Sequence, residues 1–246
     1  MGQAIAPSRV SGYSGAMECA CHGHGPYNCI DIVPIFHHLD HDEMMQVAAI
    51  TTERTFSKGE VVYRVGDSRG ELYVLHTGLV KVYRLSSEGR EQVIRTVGPG
   101  EFLGELSLFS PSSQTDTAVV LEPARMCVIV WERLRSLMEN IPSIAFKVME
   151  QLSGRLEQTE SLLEQTNLMS VEQRLARYLL EASQGKESFV LGLSKGDLAS
   201  LLGMTQETLS RRLSSFHQEG ILELQGHRGI RIIDREALRA FGEDDA

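Results

Sequence analysis

The sequence predicts an α+β protein: an N-terminal β sandwich or roll, then a long helix, then a C-terminal winged helix-turn-helix. Three observations predict it. Between residues 50 and 130, short β-branched and aromatic runs are punctuated by glycine; from Pro142 the apolar residues recur at heptad spacing; from residue 193 two capped helices meet at a glycine and two short strands follow. A chain of 246 residues with 42% apolar content has room for two domains, each with its own core. Four units are expected, at residues 1–30, 31–140, 141–168 and 169–246.

The first unit is rich in Gly, Ser, Ala and His and shows no apolar period, so it reads as an irregular segment ordered by what it binds. It holds Cys19, Cys21 and Cys29, and the fourth cysteine, Cys127, stands far along the chain in the apolar run MCVIV. Four thiolates are what an iron–sulfur cluster or a tetrahedral metal requires. Three chemistries fit them: a 4Fe-4S cluster on all four sulfurs, zinc or copper helped by His22 and His24 in CHGHG, or thiol–disulfide sensing without metal. For Cys127 taken alone, core packing is the ordinary reading. The opening residues lack an apolar signal region, and no run approaches the roughly 18 residues of a spanning helix, so no membrane contact and a cytoplasmic location are expected. In that reducing compartment clustered cysteines serve as metal ligands or redox groups more often than as structural disulfides.

The second unit begins with a helix, HLDHDEMMQVAAI, at whose start His37, His38 and His41 read as surface histidines. Short strands follow at intervals of about 8–12 residues: VVYRVG, ELYVLHTG, LVKVYRL, EQVIRTVGPG, EFLGELSLF, TAVVLE and MCVIV. Their spacing argues for a compact sandwich or roll.

In the third unit Ala145, Met149, Leu152, Leu156, Thr159 and Leu163 alternate spacings of four and three, which makes a heptad seam. Such a helix needs a partner. A second copy of the chain is expected there; the alternative is that the stripe lies on the β domain. Thr159, between Glu157 and Glu160, is the weak point of the seam.

The fourth unit carries the most specific pattern. Ser194 with Asp197 reads as a capping box, Gly203 as a turn, and Thr205 as the cap of a second helix. In that helix Leu209, Leu213 and Phe216 are spaced for burial, so Glu207, Ser210 and Arg211 share an outward face at i, i+3 and i+4. The chemistry of this trio suits base edges: a carboxylate accepts from cytosine, a guanidinium bonds guanine in bidentate fashion, and a hydroxyl serves either role. Arg212 points off that face and, with Lys195 and Arg228, suits phosphate. The following ILELQGHRGIRII reads as two strands around a His227-Arg228-Gly229 turn, the wing. The alternative is a merely solvated charged face.

A net charge of −9 is unusual for a DNA-binding chain, but the acid is unevenly placed. Residues 1–169 carry 14 basic and 21 acidic side chains, whereas residues 170–233 carry 8 and 7. A local basic face is therefore available for double-stranded DNA, with weak nonspecific binding made weaker by the acidic body.

The order of roll, long helix and winged helix, with E-x-x-S-R at Glu207, Ser210 and Arg211, resembles the CRP/FNR family of bacterial transcription regulators. The likeness runs from about residue 29 to 240 and is most specific in GEFLGELSLF, in EQRLARYLL and across residues 193–222. It implies a homodimeric, non-enzymatic regulator whose roll is like a cyclic-nucleotide-binding domain. Ser210 between Glu207 and Arg211 resembles the FNR branch, which implies a dyad of TTGAT-like half-sites.

The resemblance bears on the ligand as well. Family nucleotide sites pair a glutamate, matched here by Glu105, with an Arg-Ser or Arg-Thr that grips the cyclic phosphate; this chain has Asp116 and Thr117 there. A carboxylate repels phosphate, so cyclic nucleotide is not the expected ligand and Glu105 is expected to support a turn. Cys127 and Cys29 match the family's distant and last N-terminal cluster ligands, and the remaining pair gives C-x-C-x7-C in place of the common C-x2-C-x5-C. A 4Fe-4S cluster sensing oxygen, nitric oxide or redox state is the implied cofactor. At the place where FNR-like dimer helices carry an acidic residue, Thr159 stands, with Glu160 beside it. The family's RNA polymerase contact falls on SSEGR, residues 86–90, where Arg90 replaces a common acid. A thiol or iron–sulfur electron-transfer enzyme is the reading from another class; it finds no C-x-x-C and no paired base, and leaves the winged helix unexplained.

Overall fold

The computed structural model describes residue 36 and residues 39–68, 70–106 and 113–242. Cys19, Cys21, Cys29, His22, His24, His37 and His38 lie outside the described residues. A first helix, α1 (His41–Ile50), opens on a reciprocal capping box between Asp40 and Glu43. His41 is exposed at its first position, and Met44 and Val47 are buried.

The roll is a six-stranded antiparallel sheet of β1 (Thr51–Phe56), β2 (Val61–Tyr63), β3 (Glu71–Leu85), β4 (Glu91–Val97), β5 (Phe102–Leu103) and β6 (Thr117–Val130). Its main path runs β1-β6-β3-β4; β2 pairs with β6 and β5 with β3. Two sequence expectations are corrected here. ELYVLHTG and LVKVYRL are a single strand, and so are TAVVLE and MCVIV, because the glycine and proline between the halves mark a bend, not an end. Gly78 has φ +97°, and a Cβ there would stand 2.6 Å from the Pro123 carbonyl oxygen on β6. Register shifts around Thr77 and Leu79 place irregular pairing at the same point, so the two long strands curve together and close the roll.

In this half of the chain two elements have no counterpart in the sequence reading: β1, whose TTERTF is mostly polar, and α2 (Trp131–Asn140). On α2, Leu134 and Leu137 are buried against the roll, worth about 1.5–3 kcal/mol each relative to exposure. The long helix α3 (Pro142–Leu168) starts at a proline, which lacks only an N–H that the first turn leaves unpaired anyway. Ile144 and Val148 are buried in one core cluster with Phe36, Leu72, Val74, Cys127, Leu134 and Leu137. Helix, roll and α1 thus share one core. Among the described residues no helix is long and apolar enough to cross a membrane.

The C-terminal unit comprises α4 (Val171–Ser183), β7 (Ser188–Val190), α5 (Lys195–Leu201), α6 (Gln206–Gln218), β8 (Leu222–Gln225), β9 (Gly229–Ile232) and α7 (Arg235–Gly242). Ser170 and Gln173 form a capping box on α4. The small sheet is ordered β7-β9-β8, so the wing has a third strand that the sequence reading did not include. Leu175, Leu179, Leu198, Leu209, Leu213, Phe216 and Ile230 build a separate core, against which Leu121 of the roll also packs.

Candidate functional site

The two helices joined by the Gly203 turn are α5 and α6. Ser194 caps α5 by accepting from the Asp197 N–H at 3.1 Å, but the Asp197 carboxylate does not complete the expected box. It accepts instead from the Ser194 hydroxyl at 2.6 Å and from Lys81 of the roll at 2.6 Å. Burial pushes the Asp197 carboxyl up, and the Lys81 and Ser194 hydrogen bonds overcome this and hold it below the usual carboxylate range. Between the helices Gly203 takes φ +66°, which a side chain would resist. Thr205 then caps α6, accepting from the Thr208 N–H at 3.1 Å.

On α6 the apolar and polar faces are cleanly divided. Leu209, Leu213 and Phe216 are buried, while Glu207 and Arg211 are exposed and Ser210 is half-buried. The same outward face continues one turn and more to Ser214 and Gln218, which sequence reasoning passed over although they repeat the spacing of Glu207 and Arg211. Arg212 is exposed on the flank and pairs with Glu172 of α4 at 2.6 Å. Lys195 is half-buried at the first position of α5, and Arg228 is exposed in the turn between β8 and β9. The arrangement offers hydrogen-bonding side chains to a groove along one helix face, with cations beside it.

The predicted dimer seam is divided by the structure. Met149 and Leu156 are exposed, Ala145 is half-buried, and Thr159 is exposed with its hydroxyl donating to the Arg155 carbonyl at 2.8 Å. Leu152 turns to the roll core alongside Val148. Phe146, 69% exposed, joins the outward stripe and was not in the expected seam. The side chain of Leu163 lies outside the described residues.

Inside the roll, Glu105 does more than support a turn. Its carboxylate, 4% exposed as a residue, accepts from Arg95 at 3.1 Å and forms an ion pair with Arg155 of α3 at 2.6 Å. Arg155 also donates to the Phe102 carbonyl at 3.0 Å and stacks over the Phe102 ring. Nearby, Asp116 is buried, and its Oδ1 has no hydrogen-bond partner among the described residues. Burial pushes the Asp116 carboxyl above the usual range, and burial together with the Asp116 charge pushes the Tyr63 hydroxyl up as well. The Thr117 hydroxyl accepts from the Val65 N–H at 3.2 Å, and Thr115 accepts from Arg84 at 2.9 Å.

Cys127 is 5% exposed on β6, opposite Glu53 and Val74 in the strand register. Burial, assisted by the Glu53 charge and opposed by Arg125, pushes its thiol up to about 12, so at neutral pH it is a thiol unless a cation draws the proton off. A soft sulfur in an apolar, water-poor setting is suited to an iron–sulfur cluster or a soft metal. Phe36 lies in the same core cluster, and Cys29 precedes it by seven residues, a tether of at most roughly 25 Å. Among the described residues no three His, Cys, Asp or Glu side chains are grouped to hold a metal ion.

Residues 53–141 match the cyclic nucleotide-binding domain family, and residues 173–241 match the Crp-like helix-turn-helix domain family. The chain is similar to the CRP-like cAMP-activated global transcriptional regulator of Mycobacterium tuberculosis, 29% identical over 206 residues that cover 80% of this chain and 92% of that one. It is similar to the anaerobic regulatory protein of Aggregatibacter actinomycetemcomitans, 28% identical over 184 residues covering 72% of this chain and 71% of the other. Among solved structures, FixK2 from Bradyrhizobium japonicum superposes with a TM-score of 0.71 at 27% identity, over 80% of this chain and 100% of that one.

Proposed function

The chain belongs to the CRP/FNR family of DNA-binding transcription regulators, and from that premise we propose that it is a homodimer whose DNA reading is governed by a 4Fe-4S cluster on Cys19, Cys21, Cys29 and Cys127. Glu207, Ser210 and Arg211 read bases in a TTGAT-like dyad, while Lys195, Arg212 and Arg228 hold phosphate. The observation that carries the cluster reading is the position of Cys127: a buried thiol in the core that Phe36, seven residues beyond Cys29, also enters. The relatives named as anaerobic regulators favour a redox signal of this kind.

When bound, the cluster supplies an oxygen- and nitric-oxide-labile link between the N-terminal cysteines and β6. The chain's own residues carry the consequence. Cys127 shares its core with Ile144 and Val148, so a tie at Cys127 bears on the root of α3. That helix presents Phe146, Met149 and Leu156 outward, an apolar stripe suited to a second copy. Pairing along it sets two α6 helices about 34 Å apart, the spacing of successive major grooves. RNA polymerase is the further partner, met through the exposed turn at residues 86–90, where Arg90 pairs with Glu88 at 2.9 Å.

Cyclic nucleotide is not the ligand in this reading. Asp116 puts a buried carboxylate where the family clamps phosphate, and Glu105 is already held by two guanidinium groups. The test is anaerobic purification followed by iron, sulfide, zinc and copper assays and a visible spectrum before and after air. Iron and sulfide near about four per protomer, with a broad band lost in air and TTGAT-dyad binding lost with it, is the expected result. Stoichiometric zinc or copper without sulfide overturns the cluster in favour of a metal-responsive regulator using His22 and His24.

A further inference from the structure

The winged helix does not hang free of the roll in this structure. Lys81 of β3, its side chain 11% exposed, places its ammonium 2.6 Å from Asp197 of α5 and 2.7 Å from Glu91 of β4. One turn along α5, the Ser200 hydroxyl accepts from the Val93 N–H at 2.8 Å and donates to the Glu91 carbonyl at 3.0 Å. The Ser200 carbonyl accepts from Gln92 at 2.6 Å. An apolar margin closes the contact: Leu121 packs on the winged-helix core, and Leu79 lies so near Gly192 that an added Cβ would stand 3.3 Å from it. Among the described residues, the winged-helix groups hydrogen-bonded in this contact, Asp197 and Ser200, belong to α5, the helix that precedes α6.

Two features decide what the contact does. First, α5 and α6 share one core through Leu198, Ala199, Leu209 and Leu213, so an orientation imposed on α5 is passed to α6. Second, the docking leaves the reading face open: Glu207 and Arg211 remain exposed while Asp197 is held. A contact that covered that face would block DNA; this one leaves it uncovered. Interfaces between domains of one chain permit relative motion unless something fixes them, and the Lys81–Asp197 pair, mostly out of water, is a group able to do so.

We propose that Lys81, a residue of the sensor roll, is a positioning residue for DNA reading: through Asp197 it fixes the winged helix relative to the roll and hence to the second copy. This rests on the reading of α6 as the DNA-contacting helix. Two reading heads held at a set separation bind two half-sites as one event, whereas two loosely held heads must first be ordered. The pair therefore governs affinity for the whole dyad and not for half of it.

The test uses the full chain, prepared without air, and two duplexes: the dyad that the wild type selects from a random pool, and a single half of it. Lys81→Met is expected to lower dyad affinity by about tenfold or more, leave half-site affinity within about twofold, and speed hydrogen exchange at the Val93 amide. Asp197→Asn, which keeps the side-chain shape, is expected to move the same readings less. Lys81→Met combined with Asp197→Leu replaces the ion pair by an apolar contact and is expected to restore both dyad affinity and Val93 protection. Equal losses on dyad and half-site overturn the proposal, as does a Val93 amide that stays protected in Lys81→Met. A rise in dyad affinity overturns it too, by making the contact inhibitory. If the wild type selects no duplex, the reading of α6 fails first and this role of Lys81 fails with it.

Discussion

On α6, Glu207 and Arg211 stand in solvent on a face whose opposite side is anchored by Leu209, Leu213 and Phe216. In the roll, Glu105 lies out of water between Arg95 and Arg155, with Phe102 stacked against the latter. Both places hold carboxylates and guanidinium groups in close order along the chain or across it. The first set is presented outward and available to another molecule; the second is consumed internally and ties β4, the turn after β5 and α3 together. Residue type alone therefore does not mark a ligand site. Exposure and the identity of the partner do, because an enclosed charge that already has its counter-ion gains nothing by exchanging it for a ligand.

The sharpest way to break this contrast is Glu105→Ala. It leaves two largely buried guanidinium groups without their counter-ion, so the urea unfolding midpoint should fall by the equivalent of about 3 kcal/mol. A change within about 0.5 kcal/mol, the size ordinary for surface sites, would place Glu105 with the exposed set instead. Arg211→Ala should behave in the reverse way. Its unfolding midpoint should match the wild type, while duplex affinity falls by about 1–3 kcal/mol and discrimination at one guanine position relaxes, measured by competition with single-base variants.

Asp116→Asn is the smallest expected effect and sharpens the comparison from within the roll. Burial raises the Asp116 carboxyl in the folded protein, so the charged form opposes folding at neutral pH. That penalty is full above the folded value and fades as pH falls through it toward the ordinary carboxylate range. The amide should therefore be more stable than the wild type near pH 7, and the two should converge in acid. Unfolding curves at several pH values check it, and a variant that is less stable at every pH would show that the Tyr63 hydrogen bond and the nearby Arg84 and Arg95 charges outweigh burial at this carboxylate.

What could be foreseen and what could not follows from how far apart the interacting residues lie. The caps at Ser194 and Thr205, the turn at Gly203 and the buried spacing of Leu209, Leu213 and Phe216 all act within a few residues, so α6 and its outward face were legible in the chain itself. The wing strands were legible for the same reason, although β7, separated from β9 by some forty residues of helices and turns, was not. Gly78 and Pro123 misled because their local preference for turns is real; only their juxtaposition across two paired strands converts it into a shared bend. The heptad stripe on α3 was visible, but the division of labour on it, with Leu152 toward the roll and Phe146 outward, depends on where α2 and β6 leave a surface to cover.

By itself the sequence determined the α+β class, the long helix, the capped pair of helices with its wing, and a set of four cysteines open to cluster, metal or thiol–disulfide chemistry. These rest on periodicity, capping and residue chemistry, which operate over one or two turns of chain. Only the tertiary structure decided that Glu105 is clamped by Arg95 and Arg155, that Cys127 is a buried thiol, and that Lys81 reaches 116 residues along the chain to Asp197. Charged groups find their partners by proximity in space and by exclusion from water, and neither quantity exists until the roll has closed and the winged helix has docked upon it.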